Sequence, residues 1–191
     1  MRKRVIFSIL LLFMLVNLQV SQNYANATET MRKRSSVMLV INNIANTKYD
    51  DKLTKMMDES LHKKIDGIYN EMDSADYLTK FAGHSNENAT AQDMLDLIKD
   101  SGTDYFVYAE LQPFVKKSNF NLVYYDKAMT ASFVLRIIDI KNCKELYNNK
   151  YSIESKDSTD YWFIGSGSVA KKALDSVLFR AGEAISVHLP L

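Results

Sequence analysis

The side chains with which this chain could do nucleophilic, acid–base or metal chemistry are few: three histidines and one cysteine in 191 residues. His62 lies in a helical repeat beside Lys63 and Lys64. No second ligand follows it at the His-Glu-x-x-His spacing that places two imidazoles on one helix face for zinc, so it is read as a surface residue. His84 and Ser85, with Glu87, fall in the polar loop Gly83–Asn88. A serine hydrolase would need that histidine oriented by an acid and aimed at the serine. The Gly-x-Ser-x-Gly turn that presents such a nucleophile is absent from the sequence. His188 stands near the end of the last helix, where positive charge is favoured. Cys143, being single, excludes an intramolecular disulfide; it is either a turn residue without a role or a point of intermolecular pairing.

Two other groupings have chemical meaning. Gly165-Ser166-Gly167-Ser168 precedes a helix, with Lys171 and Lys172 a turn later. Free N–H groups at a helix start can cradle an anion, so Ser166, Gly167 and Ser168 are a candidate anion contact. The P-loop pattern does not match, and the plainer reading is a flexible linker with a serine cap. Tyr161-Trp162-Phe163 is an apolar cluster outside any regular pattern and a candidate protein interface, since exposed aromatics favour such surfaces. The acidic pairs Asp50-Asp51, Asp93/Asp96 and Asp157/Asp160 are too dispersed to place two carboxyls across a glycosidase cleft, and no dense Asp/Asn/Gly calcium loop is present. These residues imply no catalytic set, no metal and no cofactor.

The elements that must hold these residues are legible from periodicity. Ser36–Ile41 is a short apolar run of the kind buried on both faces of a sheet. Asp50 and Asp51 open a helix in which Leu53, Met56, Met57, Leu61, Ile65 and Ile68 share a face, with Gly67 as its stop signal. Tyr69–Asp73 is a candidate short strand, and Ser74–Phe81 is one or two helical turns. Thr90 caps a further helix through a capping box with Asp93, and Gly102 ends it. Asp104–Phe114 is strand-like until Pro113 ends its ladder, and Lys116–Asn121 is a polar link. From about Tyr124 to Ile140 the chain is one long strand: Met129, Ala131, Phe133, Leu135 and Ile137 point one way, and Thr130, Ser132, Val134 and Arg136 the other. A turn at Lys141–Lys144, with Asn142 suited to a left-handed position, returns it as Glu145–Glu154. Ser155–Thr159 reads as loop. Val169 to Ile185 is an Ala-rich amphipathic helix. The fold class predicted is α/β (α+β): a mixed sheet of four to five strands with three main helices packed on it.

Residues 1–27 read as an address. Arg2, Lys3 and Arg4 precede an apolar run from Val5 to Val16, and Ala25-Asn26-Ala27 supplies the small residues of a signal-peptidase site. The run is shorter than the ~20 residues of a spanning helix, so cleavage after Ala27 is expected rather than a retained anchor. No cysteine stands directly after that position, which excludes a lipid on a new N-terminal cysteine. Residues 28–35, with the basic Arg32-Lys33-Arg34, form a lead-in to a single domain over 36–191. The leader carries three basic residues and no acidic one, so its removal takes the formal charge of +1 to −2. A near-neutral body gives no electrostatic case for nucleic acid. An exported location, periplasmic or secreted, excludes chemistry that draws on ATP or NAD pools.

Ser101-Gly102-Thr103-Asp104-Tyr105-Phe106-Val107-Tyr108-Ala109, then Leu135-Arg136-Ile137-Ile138-Asp139-Ile140, then the Ala-rich helix Val169–Val187 together resemble a family of bacterial envelope domains. It includes the TolB amino-terminal domain, the curli-secretion lipoprotein and the outer-membrane activators of penicillin-binding proteins. The similarity spans roughly residues 36–188. Asn142-Cys143 stands where the family's turn usually has Thr-Gly, and the family's lipid-bearing cysteine is missing. The resemblance implies a non-catalytic adaptor that binds other envelope proteins. The rival expectation is an exported hydrolase or sugar-binding protein using His84, Glu87 or the Gly165–Ser168 turn. A pocket in which His84 meets an acid and a serine would favour it. Self-assembly into a homo-oligomer through exposed edge strands is a third expectation.

Overall fold

The computed structural model describes residues 34–120, 125–159 and 166–190. Strand β1 (Ser36–Asn43) leads through helix α1 (Asp50–Ile65) to the short strand β2 (Asn70–Met72). Helices α2 (Ala75–Phe81) and α3 (Ala91–Ile98), the latter extended by a 3-10 turn over Lys99–Ser101, then lead to β3 (Tyr105–Leu111). Strands β4 (Val115–Phe120), β5 (Tyr125–Asp139) and β6 (Lys144–Thr159) and helix α4 (Ser166–His188) complete the order. The described residues form a mixed α/β domain with six strands and four α-helices, where the sequence predicts four to five strands and three main helices.

β1 pairs in parallel with both β2 and β3. Parallel neighbours need crossover connections; α1 and the α2–α3 pair supply them. β3 and β5 are antiparallel, as are β4 and β5, and β5 and β6. β3 and β4 lie in succession along the same edge of β5. Leu111 faces Phe133 and Val115 faces Thr130, so the register slips by one residue between them. Pro113 occupies that slip, where its missing N–H interrupts no ladder. The polar stretch expected to be a link after Pro113 is therefore a strand: the ladder resumes beyond the proline because the partner strand β5 continues.

Apolar alternation decides the layers. Val37 and Leu39 of β1, Val107, Ala109 and Leu111 of β3, and Ala131, Phe133, Leu135 and Ile137 of β5 face α1 and α4. Those helices answer with Leu53, Met57, Leu61 and Ile65, and with Ala173, Leu174, Val177, Ala181 and Ile185. On the other face, Met38, Val40, Phe106, Tyr108 and Ile138 pack on Phe81 of α2 and on Met94, Leu95 and Ile98 of α3. Phe81 stacks on Phe106 with ring centroids 5.5 Å apart. Each buried Leu, Met or Phe contributes about 1.5–3 kcal/mol by leaving water.

The expected caps are present. Thr90 accepts from Asp93 N at 3.1 Å while the Asp93 carboxylate accepts from the Thr90 hydroxyl at 2.7 Å and from Thr90 N at 2.8 Å, and the hydroxyl, then the backbone N–H, hold Asp93 below the usual carboxylate range. Gly67 and Gly102 take φ of +74° and +67° where their helices stop, a region other residues rarely enter. Four local expectations are corrected. α1 ends at Ile65, and Ile68, beyond the stop, is 49% exposed. Ser155–Thr159 belongs to β6, because β5 is long enough to pair with it to Tyr125. Ser166, Gly167 and Ser168 are the first turn of α4 rather than linker before it. In the β5–β6 turn the left-handed residue is Cys143, φ +50°, not Asn142; Asn142 instead donates its backbone N–H and side-chain amide to Asp139, at 3.0 and 2.7 Å.

Candidate functional site

The densest polar cluster lies under the Gly83–Asn88 loop. Tyr108, Glu110 and Gln112 follow one another at a spacing of two from the apolar Phe106, on the sheet face that carries α2 and α3. The helices cover that face as far as Tyr108. Past it the covering element is the loop, and a loop must bring polar backbone with it. Glu110 is fully buried there. Its Oε1 accepts from Ser85 Oγ at 2.6 Å and from Gln112 Nε2 at 3.1 Å. Its Oε2 accepts from Tyr108 Oη and from the Asn86 backbone N–H, both at 2.7 Å. A carboxylate offers about four acceptor sites, and here four donors fill them.

Tyr108 is saturated in the same way. Its hydroxyl donates to Glu110 and accepts from Asn42 Nδ2 and Asn86 Nδ2, each at 2.9 Å. Burial, together with Glu110 as acceptor, pushes the phenol well above its ordinary value. Asn86 also donates to the Phe81 and His84 carbonyls at 3.2 Å, and Asn42 to the His84 carbonyl at 2.9 Å. At the rim, Glu87 accepts from Gln112 Nε2 at 2.7 Å and from Lys150 Nζ at 2.9 Å; these bonds hold its carboxyl below the usual range.

A second clamp grips the loop's far end. Arg136, 1% exposed, donates through Nη1 to the Ala89 carbonyl at 2.7 Å. Its Nε and Nη2 reach Glu145 Oε1 at 2.7 and 2.6 Å. The arginine that alternation places away from α1 and α4 is thus a buried tie between β5, the start of β6 and the loop before α3.

The predicted chemical residues are spread apart. The His84 ring meets the Ala82 carbonyl through Nδ1 at 3.1 Å and is exposed. Ser85 gives its proton to Glu110, so histidine, serine and acid do not line up, and the condition that would favour a hydrolase is not met. His62 bridges two carboxylates: Nδ1 to Glu71 at 2.5 Å and Nε2 to Asp58 at 3.0 Å. Partial burial disfavours the imidazolium, but the Glu71 hydrogen bond and the charges of Glu71 and Asp58 outweigh it, and the pKa is raised. The spacing of Asp58 and His62 on α1 was visible in the sequence; the arrival of Glu71 from β2 was not. His188 stacks on Tyr147, centroids 4.4 Å apart, and Tyr147 Oη lies 2.7 Å from Tyr151 Oη. Cys143 is exposed at the turn. Among the described residues no three His, Cys, Asp or Glu side chains are grouped to hold a metal, and no helix is long and apolar enough to cross a membrane. Ala25, Ala27, Tyr161, Trp162 and Phe163 lie outside the described residues.

Two residues of the resemblance acquire defined roles. Asp104 Oδ2 accepts from Ser36 N at 2.8 Å and Oδ1 meets Lys141 Nζ at 2.5 Å. Lys141, then Ser36, hold it below the usual carboxylate range. Asp104 thereby joins the starts of β1 and β3 to the β5–β6 turn, and Asp139 shapes that turn.

Fold and site define a three-layer α/β domain whose densest buried polar network pins one loop. The fold of a neuraminyllactose-binding hemagglutinin homolog from Helicobacter pylori is similar, with a TM-score of 0.50 at 9% identity over 81% of this chain and 87% of that one. At that identity the likeness is one of fold alone. Two further solved structures have TM-scores below 0.5. The hypothetical protein CT253 from Chlamydia trachomatis scores 0.47 at 13% identity over 81% of this chain and 99% of that one. Lipoprotein GNA1162 from Neisseria meningitidis scores 0.43 at 17% over 78% and 99%. Neither a protein-family model nor a curated protein matches the sequence.

Proposed function

We propose that this chain is an exported, non-catalytic module of the bacterial cell envelope that binds another envelope protein. In this reading residues 1–27 are removed, residues 28–35 form a short lead-in and the domain of residues 36–191 does the binding. The observation that carries it is the saturation of Glu110. The one buried carboxylate near His84 and Ser85 has every acceptor site occupied by the protein's own donors, so it has no lone pair with which to orient a base or take a proton. The leader supports export. The Tyr161–Phe163 cluster is the proposed contact, because aromatic side chains outside the regular pattern supply apolar area at low entropic cost.

Expression of the whole gene in a bacterial host tests this directly. Amino-terminal sequencing of the product in the envelope or periplasmic fraction is expected to begin at Thr28. An intact 191-residue chain in the cytosol, or turnover of an ester, amide or glycoside substrate lost in Ser85→Ala, would overturn the proposal. Trp162→Ala is expected to reduce capture of the partner with little change in melting temperature; a large fall in melting temperature would place Trp162 in the core instead.

A further inference from the structure

The free edges of the sheet are built differently. β2 is three residues long and β4 six, which limits what can pair with them. β6 runs for 16 residues, and its pairing with β5 has a single irregularity, at Ile137/Ile138 beside the turn. Among the described residues no strand pairs with its outer side. Tyr147–Thr159 contains no proline, so this edge presents a regular row of backbone donors and acceptors.

We infer that this edge pairs antiparallel with the β6 of a second copy of the chain, about a two-fold axis passing through Ser152. The symmetry restricts the register to an axis through a residue, and the side chains that then oppose each other choose among those positions. An axis normal to the sheet keeps α4 of both copies on the same side, so residues that oppose each other share a face and the axis must pass through a residue. With Ser152 on the axis, Lys150 opposes Glu154 twice and Tyr151 opposes Ile153 twice. Moving the axis to Ile153 sets Lys150 against Lys156; moving it to Lys150 or Glu154 sets like charges against themselves; moving it to Tyr151 leaves Glu154 opposite Asn148. Lys150 and Glu154 currently engage Glu87, Lys117 and Lys156. Those are exposed pairs of small worth, easily exchanged for a cross-strand contact. Tyr151 and Ile153 already pack against the α1/α4 core. Between Tyr151 and α4 runs a groove whose rim carries Phe179, 67% exposed, with Arg180 beside it. The second α4, on the same side of the joined sheet, covers that apolar surface.

The test uses the full chain in a Cys143→Ser background, so that any added thiol is the only one. Ser152→Cys places two sulfurs across the axis on Cα atoms about 4.5–5.5 Å apart, within disulfide reach. A linked dimer is expected on oxidation. Asn148→Cys, whose counterpart is Lys156, is expected to stay unlinked. By sedimentation velocity, Lys150→Glu and Glu154→Lys alone should each weaken the dimer at least about tenfold, because both cross-strand pairs turn repulsive. The double variant Lys150→Glu/Glu154→Lys should restore it, and circular dichroism of each single variant at its monomer concentration should match that of the native chain. A chain that stays monomeric to its solubility limit, or a dimer indifferent to these charges, overturns the inference. Neither result bears on export or on capture of a different envelope protein.

Discussion

Tyr108 and Glu110 stand two residues apart on one face of β3, and the tyrosine hydroxyl donates to the carboxylate at 2.7 Å while accepting from Asn42 and Asn86. That pair is the centre from which the Gly83–Asn88 loop is held against the sheet. It unites residues 42, 86, 108 and 110, and through Glu110 also Ser85 and Gln112. A buried polar group left without a partner costs the full penalty of its lost hydration, so the network behaves as a unit.

Tyr108→Phe keeps the ring that packs on Phe81 and Phe106 but deletes the hydroxyl. Glu110 then loses one donor, and the Asn42 and Asn86 amides lose an acceptor. The variant should be less stable by about 1–3 kcal/mol, read from the midpoint of urea unfolding. Amide exchange should quicken at Ser85–Asn88 before it does in α1. An unchanged midpoint would mean that the cluster contributes nothing.

Arg136→Met should lower stability by about 3–5 kcal/mol, the cost typical of breaking a buried ion pair from one side, because Glu145 and the Ala89 carbonyl both lose their donor. Arg136→Lys should recover little of it, since one ammonium cannot span two acceptors held by a planar fork. Guanidinium unfolding of the three proteins compares them.

His62 makes stability depend on pH. Burial opposes its charge, but Glu71 and Asp58 raise the folded pKa above the unfolded value of about 6.5. The group's contribution is therefore complete below about pH 6.5 and is lost as pH rises through the folded pKa. Urea midpoints should fall across that interval in the native chain and fall less in His62→Gln. The imidazole titration seen by NMR should move toward its ordinary value in Glu71→Gln.

Cys143 occupies a left-handed position at an exposed turn. Cys143→Gly relieves a conformational cost of about 1–2 kcal/mol and adds about 0.5–1 kcal/mol of unfolded-chain entropy. Thermal unfolding should show a gain of up to about 1.5 kcal/mol. The sedimentation of the variant should match that of the native chain, which would exclude Cys143 as the source of any self-association.

Much of the architecture is written locally. The alternation of Met129 to Ile137 and the helical repeat of Leu53 to Ile65 assign each residue to a face without reference to anything distant, as do Thr90/Asp93 and the two helix-ending glycines. The two strands misread as link and loop share one cause. Lys116–Phe120 and Ser155–Thr159 carry no apolar pattern of their own and are strands because β5 runs alongside them. Propensity is weak for such polar segments, and the partner decides.

By itself, then, the sequence determined the class of fold and the layer to which most of the apolar residues belong, because periodicities of two and 3.6 are properties of neighbouring residues. Only the tertiary structure decided what the polar residues do. Glu110 lies inside an apolar strand, Asn42 at the end of another and Asn86 in a loop, and nothing in their local spacing says that they converge on one tyrosine. Hydrogen-bond partners separated by 22 and 66 positions are chosen by how strands cross over and pack. That choice fastens the Gly83–Asn88 loop to the sheet.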